Sequence, residues 1–96
     1  MRRLYLVTYD IADDKRLRSV FKIMRGYGDR LQDSVYRCEL SDKEKLEMIG
    51  ELEDVIHHDE DQVLLIPLGP ARGEIEQNIE ALGKPYTLPE RHAVVV

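Results

Sequence analysis

The chain lacks most of the features that mark the commonest sites and locations of small proteins. Its single cysteine, Cys38, cannot form an internal disulfide, which fits a reducing cytoplasm. No apolar stretch approaches the roughly 20 residues that a membrane span needs, and the N-terminal segment has no small-residue cleavage site. Walker loops, dinucleotide fingerprints, nucleophile elbows and CxxC pairs are missing. We therefore expect a cytoplasmic protein that does not associate with a membrane.

Histidines are also few, and their spacing matches no zinc signature. His57 and His58 are adjacent and His92 is isolated, so we interpret all three as surface residues. The 96 residues are 43% hydrophobic and 34% charged, which suits one domain with a single modest core. We assign this core to about residues 2–69 and a C-terminal extension to residues 70–96.

Charge is distributed unevenly along an acidic chain. The formal net charge of −5 argues, as an average, against a nucleic-acid partner. Residues 1–37, however, carry nine Arg and Lys against five Asp, whereas residues 38–61 carry two Lys against ten Asp and Glu. A polyanion responds to the local potential, because salt screens charges over ~8–10 Å. A nucleic-acid surface is therefore expected in the first third.

Hydrophobic periodicity predicts alternating strands and helices. The predicted elements are strand 2–10, helix 13–26, a bent or divided strand over 30–40, helix 41–57 and strand 62–68. The break in the third element falls near Ser34, where the apolar residues change phase. This order predicts an α+β sandwich of ferredoxin-like type, with two helices on one face of a mostly antiparallel sheet.

Caps and apolar stripes define the two predicted helices. Asp13 or Asp14 is the expected N-cap of the first helix, which Gly26 or Gly28 closes in a left-handed conformation. Ser41 begins a capping box at the second helix. The expected core-facing residues are Leu17, Val20, Phe21 and Met24 in the first helix, and Leu46, Ile49, Leu52 and Ile56 in the second.

The first and last predicted strands are apolar on both faces. Two helices cover only one face of the sheet, and an uncovered apolar sheet is a poor solution for a soluble monomer. We therefore predict a homodimer that packs sheet against sheet about a two-fold axis.

An aspartate, Asp10, ends the first strand and is open to three interpretations: a turn residue, a helix cap or a metal ligand. Asp13 and Asp14 are better placed to cap the helix, and strand ends commonly present site residues. A hard cation such as Mg²⁺ or Mn²⁺ takes one or two carboxylates from a protein and keeps several waters. One Asp10 from each protomer of the predicted dimer would supply such a pair.

Four cations gather within about 80° on one face of the first helix: Lys15, Arg18, Lys22 and Arg25. No acid lies among them, so phosphate contact is favoured over an ordinary solvated face. Arg16 lies apart from this group, and Arg2, Arg3, Arg30 and Arg37 are candidates to extend it. The tyrosines Tyr5, Tyr9, Tyr27 and Tyr36 are open to two interpretations, base stacking or core packing.

The segments YLVTYDI, DDKRLRSVFKIMRGYG, RLQDSVYRCEL and QVLLIPLG together resemble the small CRISPR-associated adaptation protein, family two. The resemblance covers roughly residues 4–69 in the expected order. It implies a ferredoxin-like homodimer in which a C-terminal strand, at Glu76–Leu82 here, extends the partner's sheet. It also implies a metal-dependent endonuclease on RNA or DNA, with Asp10 of each protomer as the catalytic, magnesium-binding acid.

The same resemblance implies a partnership with the CRISPR integrase, family one, during insertion of spacer DNA. In that role the basic surface is essential and the acid is dispensable. The expected nucleic-acid contacts are Lys15, Arg16, Arg18, Lys22 and Arg25, and the supporting residues that match recurring family positions are Tyr9, Gln32, Ser34 and Tyr36. The alternatives are a non-catalytic, nucleic-acid-binding scaffold and a ferredoxin-like regulator that binds a metabolite between subunits.

Overall fold

Two βαβ-type halves follow one another in a computed structural model that describes residues 1–71 and 79–86. The elements are β1 (Arg3–Asp10), α1 (Asp14–Arg25), β2 (Gly28–Gln32), β3 (Val35–Leu40), α2 (Asp42–Val55) and β4 (Gln62–Pro70). The strands form one sheet in the order β2-β3-β1-β4, and every neighbouring pair is antiparallel. The predicted ferredoxin-like α+β sandwich is confirmed. No helix of the described part is both long and apolar enough to cross a membrane.

Side chains alternate between two faces of β1. Tyr5, Val7 and Tyr9 point toward the helices and are buried, and Cys38 packs in the same core. Within the described residues, the core consists of Tyr5, Val7, Tyr9, Val20, Met24, Tyr36, Cys38, Leu40, Met48 and Leu52. The helices therefore cover one face of the sheet, which we call the helix face.

The helix starts follow the predicted chemistry, but the end of α1 does not. Asp13 is the N-cap of α1, since its carboxylate accepts a hydrogen bond from Arg16 N at 3.0 Å. The capping box at Ser41 is present in α2. The left-handed helix ending predicted for Gly26 is wrong, because its backbone is right-handed, with φ −81°. Gly28 instead begins β2.

Gly28 is needed where β2 and β3 approach each other closely. A Cβ atom at this position would lie 2.4 Å from the Arg37 carbonyl oxygen and 2.5 Å from Cys38 Sγ. The first of these neighbours is backbone and cannot turn aside, so β2 and β3 pair this closely only because residue 28 has no side chain. The predicted break near Ser34 is confirmed, because β2 and β3 are separate strands joined by a two-residue turn.

The predicted helical stripes are only partly right. Val20 and Met24 are buried in α1, but Leu17 is 36% exposed. In α2 the prediction for Leu46 is wrong, because this side chain is 69% exposed and Met48 is buried instead. Leu52 belongs to both possible stripes of α2, so the periodicity alone does not decide which side faces the sheet, and packing against α1 and β3 does.

The opposite face of the sheet, which we call the open face, carries Leu6, Thr8 and Asp10 of β1. Across the ladder from Thr8 and Leu6 lie Leu64 and Ile66 of β4, which are 46% and 41% exposed. Other positions of this face are covered: Leu4 is buried, and so is Arg37, whose guanidinium lies 2.8 Å from the Asp29 carboxylate. Exposed apolar side chains on the open face are thus concentrated on β4.

The predicted exchange of a C-terminal strand concerns two subunits, whereas the structure contains one. Residues 76–78 of the segment Glu76–Leu82 lie outside the described residues, and residues 79–82 form no strand in this single chain. Residues 87–96, with His92, also lie outside the described part. His57 and His58 are exposed, as predicted.

Candidate functional site

Asp10 is the last residue of β1, and it lies on the open face opposite Gln62 of β4. The carboxylate is exposed and has no hydrogen-bond or ion-pair partner among residues 1–71 and 79–86. Asp13 caps α1, and a different acid, Asp61, holds the backbone that follows β1. The structure thus assigns the cap and turn roles to other acids, and leaves Asp10 available for a ligand.

Asp61 connects the two loops that lie beside Asp10. Its carboxylate accepts hydrogen bonds from Ala12 N at 2.9 Å and from His57 N at 2.8 Å. The guanidinium of Arg16 donates two more, from Nε at 2.7 Å and from Nη2 at 3.1 Å. The side chain is inaccessible to solvent, and its hydrogen bonds with Arg16 hold the pKa of Asp61 well below its usual range. The loop after β1 is therefore fixed to the start of β4.

The ion pair with Asp61 gives Arg16 a structural position. Arg16 Nη2 also lies 3.1 Å from Glu60, and these acids raise the pKa of Arg16, chiefly through the hydrogen bond with Asp61. The structure thus places Arg16 away from the exposed cations, with two acids next to its charge. Asp61 was not recognised in the sequence, and the only signal is an acid immediately before an apolar strand.

The four cations on one face of α1 form what we call the basic strip: Lys15, Arg18, Lys22 and Arg25. All four are exposed, and none forms an ion pair within the described residues. Other arginines differ: Arg2 pairs with Glu39 and Glu44, Arg30 with Asp33, and Arg37 with Asp29. The basic strip therefore keeps charges that no acid of the described chain compensates, and such charges favour phosphate contact.

The predicted supporting residues lie around the β2–β3 turn and the end of β1, and two of them, Tyr9 and Tyr36, are on the helix face, behind the sheet from Asp10. The rings of Tyr9 and Tyr36 stack on the helix face with centroids 6.1 Å apart. The Tyr9 hydroxyl donates to the Asp33 carbonyl oxygen at 3.3 Å, and its backbone N–H donates to the Ser34 carbonyl oxygen at 3.1 Å. Burial, followed by the neighbouring Tyr36, raises the pKa of Tyr9 to about 12. Both tyrosines thus act in packing, and hold the turn against β1.

The remaining supporting residues are closer to solvent. Gln32 ends β2 and is exposed, whereas Ser34 is partly buried in the turn. Ser34 also borders a groove between α1 and this turn, together with Arg18 of the basic strip. The candidate residues therefore divide between two places: Asp10 lies on the open face, whereas the basic strip, Tyr9 and Tyr36 lie on the helix side of the sheet.

The Asp10 carboxylate is the type of ligand that a hard cation binds, but a single carboxylate is too few to hold one. A carboxylate oxygen is a preferred ligand of Mg²⁺ and Mn²⁺. Among the described residues, however, no group of three or more His, Cys, Asp or Glu side chains is arranged to hold a metal. A metal site at Asp10 consequently needs ligands from water and from a second chain, and the open face is the side on which the predicted dimer would bring a second Asp10.

Comparison with known proteins identifies the family. The family described as CRISPR associated protein Cas2 matches residues 1–73. The CRISPR-associated endoribonuclease Cas2 1 of Rhodospirillum rubrum is 44% identical over 92 residues, covering 96% of this chain and 89% of the relative. The corresponding Cas2 endoribonuclease of Geobacter sulfurreducens is 38% identical over 96 residues, and the match covers 100% of both chains.

A solved structure supports the same assignment. The crystal structure of Streptococcus pyogenes Cas2 superposes with a TM-score of 0.69 at 29% identity, over 83% of this chain and 99% of that one. The matches with the two relatives cover 89% or more of every chain compared. The chain therefore belongs to the CRISPR-associated Cas2 family.

Proposed function

We propose that this protein is a homodimeric adaptation protein that acts with the CRISPR integrase in acquiring spacer DNA. We further propose that it has a Mg²⁺-dependent endonuclease activity on RNA or DNA. The names of its relatives in Rhodospirillum rubrum and Geobacter sulfurreducens describe endoribonucleases, which supports RNA as the first substrate to test. The observation that carries the nuclease proposal is the unpaired Asp10 carboxylate on the open face.

In the proposed nuclease, Asp10 from each of two protomers would hold Mg²⁺, with Mn²⁺ as a substitute. The bound ion would polarise a phosphoryl oxygen and lower the pKa of an attacking water. Asp61 and Arg16 would keep the backbone after Asp10 in one conformation through their hydrogen bonds. The basic strip would bind substrate phosphates and neutralise part of their charge.

The nuclease proposal is tested by replacing Asp10 with its uncharged isostere. Asp10→Asn should abolish metal-dependent cleavage of single-stranded RNA and duplex DNA, and should remove Mn²⁺ binding measured by calorimetry. Asp59→Asn is the matched control, because Asp59 is an exposed acid in the connection before β4. Both variants should remain dimers in sedimentation velocity. Equal cleavage by Asp10→Asn and the parent would contradict the assignment of Asp10.

A second candidate function is a scaffold without catalysis, favoured by the separation of the basic strip from Asp10. The strip binds nucleic acid in this alternative, while Asp10 does nothing. Replacing the four cations of the strip with glutamate should then suppress spacer integration, whereas Asp10→Asn should leave integration unchanged. Integration that withstands the fourfold reversal would exclude a DNA-binding role for the strip.

A metabolite-binding regulator is a third, distant alternative. It predicts no salt-sensitive affinity for DNA, whereas phosphate contacts release counterions and make binding fall steeply with added salt. Measuring DNA affinity over a range of salt concentrations separates this alternative from the other two. We retain the proposal of a cytoplasmic location, which the single cysteine fits.

A further inference from the structure

A groove of about 330 Å³ lies between α1 and the β2–β3 turn, beside the basic strip. It is lined by Tyr9, Leu17, Arg18, Phe21, Arg30, Asp33 and Ser34. Ligand pockets of proteins begin at about this size. The family resemblance assigned no role to Leu17 or Phe21, which the sequence predicted to be ordinary core residues.

The groove has an apolar surface that the fold leaves uncovered. Leu17 is 36% exposed and Phe21 is only partly buried, although both lie on the side of α1 that was expected to pack in the core. Val20 and Met24, the α1 side chains that belong to the core, are fully buried one turn away. Leu17 and Phe21 thus form an accessible apolar patch between the core and the basic strip.

Guanidinium groups surround this patch. Arg25 and Arg30 lie over the Phe21 ring, 5.2 Å and 5.8 Å from its centroid. Arg18 lines the groove from the basic strip and has no ion pair among the described residues. An apolar patch bordered by planar cations matches a ligand that combines a flat ring with a negative charge, because guanidinium planes stack on bases and bind phosphate.

We propose that this groove binds one unpaired nucleotide of a nucleic acid whose adjacent phosphates lie on the basic strip. The base would lie on Leu17 and the Phe21–arginine layer, and Ser34 of the groove lining would offer it a hydrogen-bonding group. A base inside a continuous duplex is covered on both faces by its neighbours, so only an extruded or unstacked base can lie in the groove. The protein would therefore favour strands with an extruded or unstacked nucleotide over a continuous duplex.

This inference rests on the proposed nucleic-acid function and has its own readout. Fluorescence anisotropy at one fixed salt concentration compares a fully paired duplex with the same duplex carrying one unpaired nucleotide. The parent protein should bind the duplex with the unpaired nucleotide about fivefold or more tightly than the paired duplex, because fivefold corresponds to the lower limit for stacking one base. Leu17→Gln should remove this preference while leaving affinity for the paired duplex unchanged, because the substitution does not alter charge. Phe21→Leu, which keeps the apolar volume but not the aromatic ring, should reduce it.

Leu46→Gln is the matched control, since Leu46 is an exposed leucine on the other helix and lines no part of this groove. It should retain the full preference. The proposed role of the groove would be refuted, and the proposed function left intact, by either of two results. The first is equal affinity of the parent for the two duplexes, and the second is an equal loss of affinity for both duplexes in Leu17→Gln. Binding of neither duplex would overturn both.

Discussion

The exposed side chains of β4 make the proposed homodimer testable through one substitution, Ile66→Ser. Ile66 lies on the open face, opposite Leu6 in the ladder, and is 41% exposed. If a second chain covers this face, the remaining exposed part of the side chain becomes buried. A serine in its place would bury a hydroxyl instead of an apolar group, and the dimer should dissociate more easily.

The magnitude follows from the exposed fraction. Full burial of an isoleucine side chain contributes about 1.5–3 kcal/mol, so completing the burial of Ile66 contributes about 0.6–1.2 kcal/mol. A two-fold dimer contains this side chain twice, which gives about 1.2–2.5 kcal/mol of dimerisation free energy. Ile66→Ser should accordingly raise the dimer dissociation constant by about 8- to 70-fold.

Sedimentation velocity over a concentration series measures this constant directly. Leu46→Ser is the control, because Leu46 is 69% exposed but lies on α2, away from the open face. It should leave the dissociation constant unchanged. A parent protein that sediments as a single chain at micromolar concentration would refute the reasoning, and so would an equal effect of the two substitutions.

Three further predictions concern stability and reactivity. Gly28→Ala should lower the free energy of unfolding by about 1–3 kcal/mol, because the added Cβ would clash with β3. Gly50→Ala, in α2 with open space around the Cβ, should instead raise the free energy of unfolding by about 0.5–1 kcal/mol. Urea denaturation of the two variants measures both changes. Asp61→Asn should destabilise the protein more at pH 7 than at pH 3: the folded-state pKa is depressed, so the stabilisation that is full above the unfolded value of about 4 declines below it and is lost only as pH falls through the folded-state pKa. A uniform loss at both pH values would refute the ion-pair explanation. Burial raises the pKa of Cys38 to about 12, so the thiol should resist iodoacetamide at pH 8 until denaturant unfolds the chain; reaction in the native state would contradict its burial.

Features set by near neighbours in the chain could be predicted from the sequence. Asp10 is at the end of a strand because the apolar alternation stops there. Asp13, three residues later, is the acid that is placed to cap the helix. The capping box at Ser41 depends on Glu44 alone. Both predictions needed only local geometry, which residue spacing determines.

Features set by distant neighbours could not be predicted. Asp61 binds Arg16 and Ala12, which are 45 and 49 residues away in the chain. Arg16, although it lies apart from the other four cations of the first helix, was therefore expected to contact nucleic acid. Leu46 and Met48 differ in burial because α2 turns one of two comparable apolar sides toward the sheet, and only tertiary packing selects between them.

The distribution of acids also restricts how a nucleic acid can approach this acidic chain. α2 carries six acids and two lysines, and it packs against α1. A phosphate backbone on the basic strip is therefore repelled from the α2 side and attracted toward the other side of α1. The groove beside the β2–β3 turn has Arg18 and Arg30 in its lining and no residue of α2. Exposed charges act over ~8–10 Å at ordinary salt. Replacing the acids of α2 with basic residues should therefore strengthen nucleic-acid binding, but the nucleic acid should then lie less selectively on the side of α1 that carries the groove. Hydroxyl-radical footprinting of a bound duplex with one unpaired nucleotide should then show protection centred on that nucleotide for the parent, and spread along the duplex for the α2 variant.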